Sequence, residues 1–296
     1  KQEIRKNAAA YWQENMGGDF SKSGREQAMY HHAVSDVLPV LLHLQDEFRQ
    51  SAFSPYCTEL QITPGNPDFP PICLKTRDGH TVRLIGKIDR VDICRDGAQK
   101  WVRVVDYKTG EKVFSLGHLL YGLDMQMLIY LFSILSEGTA LSDAQPAGVL
   151  YLPAGKAKTP EKKRNETYQM NGVLLRDAHL LTLMEQNGEG IYVPGKLDAK
   201  GELDTKKGTF LTQEQMRNLR KYVLEQLVDM AERVYHGEID ALPLELPKED
   251  PCKFCAFSNI CGNSELCRQR IPYGDSRMQE KKMMEILEEL AEEENN

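Results

Sequence analysis

The sequence has 296 residues, of which 41% are hydrophobic and 27% charged, a composition typical of a globular protein with a buried core. Its longest apolar run, residues 127–135, is too short to cross a bilayer and no signal peptide is visible, so a membrane-spanning class is excluded. The net charge of −7 comes mostly from six glutamates within residues 285–294, so charge neither supports nor excludes a nucleic-acid partner. Because the chain begins at Lys1 rather than Met, we expect a fragment of a longer protein.

Hydrophobic periodicity along the chain predicts helices at both ends and several strands in the first half. The predicted helices cover residues 1–50, about 116–135, about 212–235 and 279–294. The predicted strands cover about 58–62, 81–93, 100–107 and 147–152. A turn at 95–97 joins the second and third strands, which predicts an antiparallel hairpin. Residues 153–210 are weakly patterned and are expected to form loops and a short helix.

Charged side chains lie at the end of this predicted hairpin. Side chains on a strand alternate between faces, so Asp106 and Lys108 point the same way and Tyr107 points oppositely. Asp89, in the neighbouring strand, can approach Asp106 across the hairpin. Two converging carboxylates repel each other unless a cation lies between them, and Mg²⁺ prefers oxygen ligands. The pattern therefore predicts a divalent-metal site at which Lys108 orients a water or stabilises charge on a phosphate.

Other interpretations of these residues remain open. An isolated Asp-x-Lys triplet is more often an exposed hairpin pair in which the lysine forms a salt bridge. Asp92 faces away from Asp89 by strand alternation and is interpreted as a structural partner of Arg90. Gln126 and Tyr130 lie one helical turn apart, so they either form hydrogen bonds within the core or point towards a ligand.

Three motifs follow one another in the sequence: G-x-x-D-R-x-D at 86–92, D-Y-K-T-G at 106–110 and Q-x-x-x-Y at 126–130. In order and spacing they resemble the RecB-like branch of the PD-(D/E)XK nuclease superfamily. The resemblance implies an α/β restriction-endonuclease-like fold, with a mixed central sheet flanked by helices and a C-terminal cysteine-rich loop. It also implies a metal-dependent deoxyribonuclease that hydrolyses phosphodiester bonds.

The resemblance assigns a role to each motif residue. The implied ligands of Mg²⁺ or Mn²⁺ are Asp89, Asp106 and the main-chain carbonyl of Tyr107. The implied catalytic residues are Asp89, Asp106, Lys108, Gln126 and Tyr130. The last two would contact DNA or support the site.

Two further groups bear on the metal site. Many members of the family carry a metal-binding histidine on an upstream helix, and His31 and His32 are the only nearby candidates. Their surroundings differ from the family pattern, so we expect this ligand to lie before Lys1. Glu59, on the preceding strand, is interpreted as structural rather than as a further acidic ligand.

Three of the seven cysteines form a C-x2-C-x5-C run near the C-terminus, namely Cys252, Cys255 and Cys261. The odd cysteine count and the lack of a visible signal peptide favour a reduced cytoplasmic protein, and such a run is typical of a metal site. Zinc would need a fourth ligand, for which Cys267 is available. The resemblance points instead to an iron–sulfur subgroup, with a [4Fe-4S] cluster whose fourth cysteine lies far upstream. Cys57 and Cys73 are too near the hairpin, so we expect that cysteine outside the fragment and no complete cluster within it.

Within this subgroup the chain most resembles the C-terminal nuclease domain of AddB-type subunits of AddAB helicase–nucleases. That implies an exonuclease that processes the 5′-ended strand at DNA ends for double-strand-break repair by recombination, in the bacterial cytoplasm at the nucleoid. The implied partners are single-stranded DNA at duplex ends and an AddA-type helicase–nuclease subunit. ATP use would belong to sequence outside this chain, because no Walker A motif occurs here.

The alternatives are a catalytically silent DNA-end-binding or scaffolding module, a CRISPR-associated iron–sulfur exonuclease and a zinc-ribbon binding protein. For each of the nuclease-fold interpretations we expect the same division of the chain into segments. These segments are a helical lead-in (1–50), a nuclease core (51–240) with an insertion (about 153–210), a cysteine loop (241–270) and a C-terminal helix (276–296).

Overall fold

The computed structural model describes residues 2–16, 23–110, 112–155, 164–206, 208–246, 251–261 and 271–294. The chain divides into two compact units, which are described separately. The first unit contains Lys1–Pro70, Ile85–Phe114 and Tyr130–Gln213, and the second contains Pro71–Leu84, Ser115–Ile129 and Glu214–Asn296. Within the described ranges, no helix is long and apolar enough to cross a membrane.

The described residues form eight α-helices and ten strands, numbered here in chain order. The helices are α1 (Gln2–Asn15), α2 (Gly24–Gln50), α3 (Gln126–Ile134), α4 (Arg164–Tyr168), α5 (Ala178–Met184), α6 (Gln213–Tyr235), α7 (Ser258–Cys261) and α8 (Ser276–Glu294). The strands are β1 (Ser54–Ile62), β2 (Ile72–Lys75), β3 (Thr81–Leu84), β4 (Gly86–Asp96), β5 (Gln99–Lys108), β6 (Gln145–Pro153), β7 (Asn171–Leu175), β8 (Thr209–Leu211), β9 (Leu244–Glu245) and β10 (Ile271–Pro272). Two short 3₁₀ helices cover Leu116–Tyr121 and Pro251–Phe254.

A mixed six-stranded sheet lies at the centre of the first unit, in the order β1-β4-β5-β6-β7-β8. β4 pairs antiparallel with both β1 and β5, and β6 pairs antiparallel with β7. The pairs β5–β6 and β7–β8 are parallel. Val104 of β5 and Leu150 of β6 are fully buried, as expected for central strands that are covered on both faces. The predicted α/β fold with a mixed central sheet flanked by helices is confirmed.

Helix α2 leads into the sheet. It begins after Ser23, whose side chain caps it by accepting a hydrogen bond from the amide of Glu26 at 3.1 Å, and it continues through Pro39. Its C-terminal half buries His43 and Glu47. A fully buried glutamate needs a charged or hydrogen-bonding partner, which the sheet supplies.

The strand predicted over 81–93 is in fact two strands with different partners. Thr81–Leu84 pairs with Ile72–Lys75 as a separate hairpin in the second unit, whereas Gly86–Asp96 joins the central sheet. Ile85 between them is 67% exposed. Hydrophobic alternation continues across this point, so it could not reveal that the pairing partner changes there.

The helix predicted over about 116–135 is also interrupted. A 3₁₀ helix ends at Gly122, whose φ angle is 72°, and Asp124 has a φ angle of 59°. These left-handed conformations stop the first helical segment, and α3 starts afresh at Gln126.

The weakly patterned insertion contributes to the sheet, contrary to the expectation of loops and a short helix. Asn171–Leu175 and Thr209–Leu211 add two strands to its edge, and Ala178–Met184 forms a helix between them. Both strands are short, so their sequence carries little periodic signal. By contrast, the helices predicted over about 212–235 and 279–294 are confirmed as α6 and α8.

The second unit contains the β2–β3 hairpin and helices α6, α7 and α8. Its hairpin turn is held to the end of α6 by side-chain contacts. Arg77 forms an ion pair with Glu232 at 3.0 Å, and His236 lies 2.8 Å from Asp78. A two-stranded hairpin is marginally stable by itself, so such contacts contribute to its order.

Candidate active site

The β4–β5 hairpin brings the predicted carboxylates to one end of the sheet. Arg90 pairs with Val105, so the next positions along the two strands are Asp89 and Asp106. Opposed residues of an antiparallel pair share a face, and the two carboxylates therefore lie on the same side of the sheet. The Asp89 carboxylate accepts a hydrogen bond from the amide of Tyr107 at 3.0 Å, which holds it at the end of β5.

Lys108 lies beside Asp106 on this face. Its Nζ is 2.7 Å from Oδ2 of Asp106, and the two side chains are 32% and 8% exposed respectively. The same Nζ lies 5.6 Å from the centre of the ring of Tyr151, which pairs with Asp106 in the parallel register of β5 and β6. The ammonium group is thus held between a carboxylate and an aromatic face.

Asp106 is in an environment that opposes its negative charge. Burial raises the pKa of Asp106 above its ordinary value and the Asp89 carboxylate raises it as well, whereas Lys108 lowers it. An additional cation next to Asp106 would favour its ionised form. The electrostatics of this carboxylate therefore suit a bound metal ion.

The main chain of Tyr107 faces the same point. Its amide is directed at Asp89, and the hairpin pairing stops before it, at Val105. The N–H and C=O of one strand residue point to the same edge, so the Tyr107 carbonyl lies on the Asp89 side of β5. This placement agrees with its predicted role as a metal ligand, which stays a prediction.

Four charged side chains form a buried network on the opposite face of the hairpin. Oδ2 of Asp92 accepts hydrogen bonds from Nη2 of Arg90 and Nε of Arg103, both at 2.9 Å. Glu47 of α2 accepts a hydrogen bond from Nη2 of Arg103 and lies 3.6 Å from Nη2 of Arg90. All four side chains are at most 1% exposed, so two positive and two negative charges balance inside the core.

This network agrees with the interpretation that Asp92 faces away from Asp89 and pairs with Arg90. The sequence reasoning missed Glu47 and Arg103. Arg103 had a readable signal, since a charged residue within the apolar run Val102–Val105 needs a buried partner. The partner itself comes from a helix and could not be identified by spacing.

Tyr130 packs against the first glycine of the 86–92 motif. A β carbon built on Gly86 would lie 2.6 Å from Cε1 of Tyr130 and 3.1 Å from its hydroxyl. Gln126 is the first residue of α3, one helical turn before Tyr130, as the spacing predicts. Gln126 belongs to the second unit, so the first unit brings together all the predicted site residues except this one.

The structure gives no support to the other acidic and histidine candidates as metal ligands. His31 and His32 are exposed on α2. Glu59 forms an ion pair with Lys87, which agrees with its interpretation as structural. Among the described residues, no group of three His, Cys, Asp or Glu side chains could hold a metal. Mg²⁺ needs only one or two protein carboxylates, with water and phosphate oxygens completing its shell, so Asp89 and Asp106 fit it.

The cysteine run lies in the second unit, where its three members line one cavity of about 400 Å³: Cys252, Cys255 and Cys261. Cys267, the candidate fourth zinc ligand, lies outside the described residues. Cys73 is exposed on β2. Burial, and then the Asp92 carboxylate, raise the pKa of Cys57 to about 11, which disfavours the thiolate that a metal requires.

A mixed sheet that presents two carboxylates and a lysine at the ends of adjacent strands defines a site for metal-assisted phosphodiester hydrolysis. The chain belongs to the PD-(D/E)XK nuclease superfamily, which it matches over residues 1–262. The resemblance seen in the three motifs is thereby confirmed.

The curated relatives all carry one name, that of a subunit of an ATP-dependent helicase/deoxyribonuclease. The protein of Thermoanaerobacter sp. (strain X514) is 33% identical over 231 residues, which is 74% of this chain and 20% of that protein. The protein of Clostridium novyi (strain NT) is 32% identical over 264 residues, or 84% and 23% of the two chains. That of Geobacillus thermodenitrificans (strain NG80-2) is 32% identical over 258 residues, or 81% and 22%. The chain thus spans about a fifth of the length of these relatives.

Proposed function

We propose that this chain is the magnesium-dependent exonuclease domain of an AddAB-type ATP-dependent helicase–nuclease. The observation that carries the proposal is the placement of Asp89, Asp106 and Lys108 on one face at the end of the β4–β5 hairpin. The names of the relatives support a helicase–deoxyribonuclease context. Because the chain covers only part of those proteins, the activity and partners of the whole assembly belong to the proposal.

Asp89, Asp106 and the main-chain carbonyl of Tyr107 would hold Mg²⁺ or Mn²⁺. Their oxygen atoms suit a hard cation, and the buried Asp106 carboxylate gains a counter-charge from it. When bound, the ion supplies Lewis-acid stabilisation of the charge on the phosphate. The hydrogen bond from the Tyr107 amide to Asp89 keeps that carboxylate directed at the end of β5.

Lys108 is proposed to stabilise negative charge on the scissile phosphate. Its ammonium group is held 2.7 Å from Asp106, so a phosphate beside that carboxylate comes within reach of the same group. A charge held in a partly buried position needs little reorganisation when the transition state forms. Tyr130 would support the site through its packing on Gly86, and Gln126 would contact DNA.

The proposed substrate is the 5′-ended single strand at a DNA end, delivered by an AddA-type helicase–nuclease subunit. The proposed role is end processing for double-strand-break repair by recombination in the bacterial cytoplasm at the nucleoid. This follows from the resemblance to AddB-type subunits and is supported by the names of the relatives.

We also propose a [4Fe-4S] cluster held in part by Cys252, Cys255 and Cys261. Their shared cavity has apolar walls that include Leu242 and Phe257, and soft thiolates suit iron. Three thiolates leave one coordination position to a further ligand. When bound, the cluster would fasten this loop to the segment that carries that ligand.

Digestion of end-labelled single-stranded DNA in the presence of Mg²⁺ tests the nuclease proposal. The chain should degrade the substrate, and Asp106→Ala should not. Asp143→Ala is a matched control, because Asp143 is an exposed carboxylate that also pairs with a lysine, Lys100. Equal activity of the chain and Asp106→Ala would overturn the catalytic assignment. No activity in either would favour a DNA-end-binding or scaffolding module.

Elemental analysis of the isolated chain and of Cys255→Ser tests the cysteine site. Iron and sulfide that the substitution removes would support cluster ligation by the run. Zinc instead of iron would favour the zinc-ribbon alternative. A complete cluster in the isolated chain would contradict the expectation that its fourth cysteine lies outside it.

A further inference from the structure

A second lysine–carboxylate pair borders the metal site on the edge of the sheet. Lys87 of β4 and Glu59 of β1 form an ion pair, and their side chains are 51% and 59% exposed. Lys87 lies two residues before Asp89, so the two side chains share a face of β4. The Glu59 carboxylate, and to a smaller extent that of Asp89, raise the pKa of Lys87. The Lys87 ammonium thus lies within the electrostatic influence of a proposed metal ligand.

Glu59 holds its position in a strained backbone conformation. Its φ angle is 56°, in the left-handed region that favours glycine. The residues on either side of it keep regular pairs, Thr58 with Arg90 and Leu60 with Ile88. The distortion is therefore confined to Glu59, within an otherwise continuous strand. Strain of this kind marks positions where a particular side chain is needed, and it is concentrated at functional sites.

Within the first unit, the metal site is more open on the side of this pair. Towards β6, Lys108 is only 32% exposed and Tyr151 is buried. Towards β1, the outermost strand on that side of the sheet, Lys87 and Glu59 are both more than half exposed. A DNA strand that approaches Asp89 from the β1 side passes over Lys87.

We propose that Lys87 binds a phosphate of the DNA strand next to the one that is cleaved, and that Glu59 is a positioning residue that keeps Lys87 away from Asp89. This inference rests on the proposed nuclease function. Two residues along a strand span about 6.6 Å, so Lys87 lies beside the metal site rather than in it. In free protein, Glu59 occupies the ammonium that would otherwise pair with Asp89. In the complex, a phosphate replaces Glu59 as the partner of Lys87.

The first experiment measures DNA binding rather than cleavage. A fluorescent single-stranded oligothymidine is titrated with the chain in Ca²⁺, which occupies carboxylate sites, over a series of potassium chloride concentrations. Lys87→Gln should weaken binding and reduce the slope of log K against log salt by about 0.7, the value for one phosphate contact on a single strand. Lys100→Gln is the matched control, because Lys100 is a strand lysine paired with the exposed Asp143 at the other end of the hairpin.

The outcomes separate this inference from the proposed function. An unchanged slope in Lys87→Gln, in a chain that binds the oligonucleotide, would overturn the phosphate contact alone. A chain that binds no oligonucleotide would overturn both this contact and the proposed function. An equal loss in Lys100→Gln would also overturn the specific contact, since it would show a general effect of surface charge.

The second experiment tests the positioning role of Glu59 through Mg²⁺ binding. Glycine adopts a positive φ without strain, so Glu59→Gly should leave the thermal midpoint of the metal-free chain equal or higher. Lys87 is then free to pair with Asp89, and the Mg²⁺ concentration that gives half of the thermal stabilisation should rise several-fold. Glu59→Asp, which keeps the carboxylate, should restore part of the affinity. The double variant Glu59→Gly/Lys87→Gln should return the Mg²⁺ midpoint to that of the unaltered chain, and an unchanged midpoint in Glu59→Gly would overturn the role of Glu59.

Discussion

The ring of Tyr130 lies directly against the backbone of Gly86, so closely that a β carbon at position 86 would stand 2.6 Å from Cε1. Gly86 is absent from the residues with positive φ, so what this position requires is space for the ring rather than an unusual backbone. The contact joins the 86–92 motif to the 126–130 motif. The two are therefore parts of one packed structure at the end of β4.

Gly86→Ala should destabilise the chain by about 1–3 kcal/mol, because the added methyl group collides with the ring. Urea unfolding measures this cost. In a Tyr130→Ala background the ring is gone, so the additional cost of Gly86→Ala should largely disappear. Gly110→Ala is the control, since a β carbon there meets no described atom within 4 Å. Equal costs at positions 86 and 110 would show that the steric explanation is wrong.

Lys108→Gln should reduce DNA cleavage by about 10²–10³-fold, the usual effect of removing a group that stabilises developing charge. Stabilisation of the fold by Mg²⁺ should persist, because Asp89 and Asp106 remain. Single-turnover cleavage and Mg²⁺-dependent thermal midpoints measure the two effects. Lys100→Gln should leave cleavage unchanged. Cleavage retained in Lys108→Gln would remove Lys108 from the proposed catalytic residues.

The raised pKa of Asp106 predicts a pH dependence of stability in the metal-free chain. The folded state keeps the Asp106 proton to higher pH than the unfolded state does. The free energy of unfolding therefore falls as pH rises from the ordinary aspartate pKa of about 3.9 through the raised pKa of Asp106.

Asp106→Asn cannot lose this proton, so its thermal midpoint relative to the unaltered chain should rise through the same range and level off above it. Thermal unfolding across pH in a chelator measures the difference. Added Mg²⁺ should stabilise the unaltered chain and not the variant. A difference that does not vary with pH would contradict this account of Asp106.

Glu47→Ala should destabilise the chain by about 3–5 kcal/mol, because it leaves two buried arginines with Asp92 as the remaining carboxylate of the network. Chemical unfolding measures the loss. Asp143→Ala breaks an exposed ion pair and should leave the unfolding midpoint unchanged. A similar small effect of both substitutions would mean that the buried network contributes little net stability.

Features set by local geometry were predictable for this protein. The two-residue period of a strand places Asp106 and Lys108 on one face and Asp92 on the other side from Asp89, and a tight turn brings the two strands together. Thus the hairpin, the site residues it carries and the likeness to a nuclease family followed from the order of the residues. The site roles themselves stay predictions until the variants are measured.

The tertiary structure decided which distant residues meet. Glu47 reaches Arg103 across 56 positions of the chain, the 153–210 segment adds two strands to the sheet, and β3 leaves the predicted long strand to pair with β2. The sequence by itself determined the mixed α/β class and the hairpin with its carboxylates and lysine, because these depend on neighbours in the chain. Only the folded chain could show the buried network, the packing of Tyr130 on Gly86 and the strain at Glu59, because each depends on surfaces that meet after folding and leaves no periodic trace.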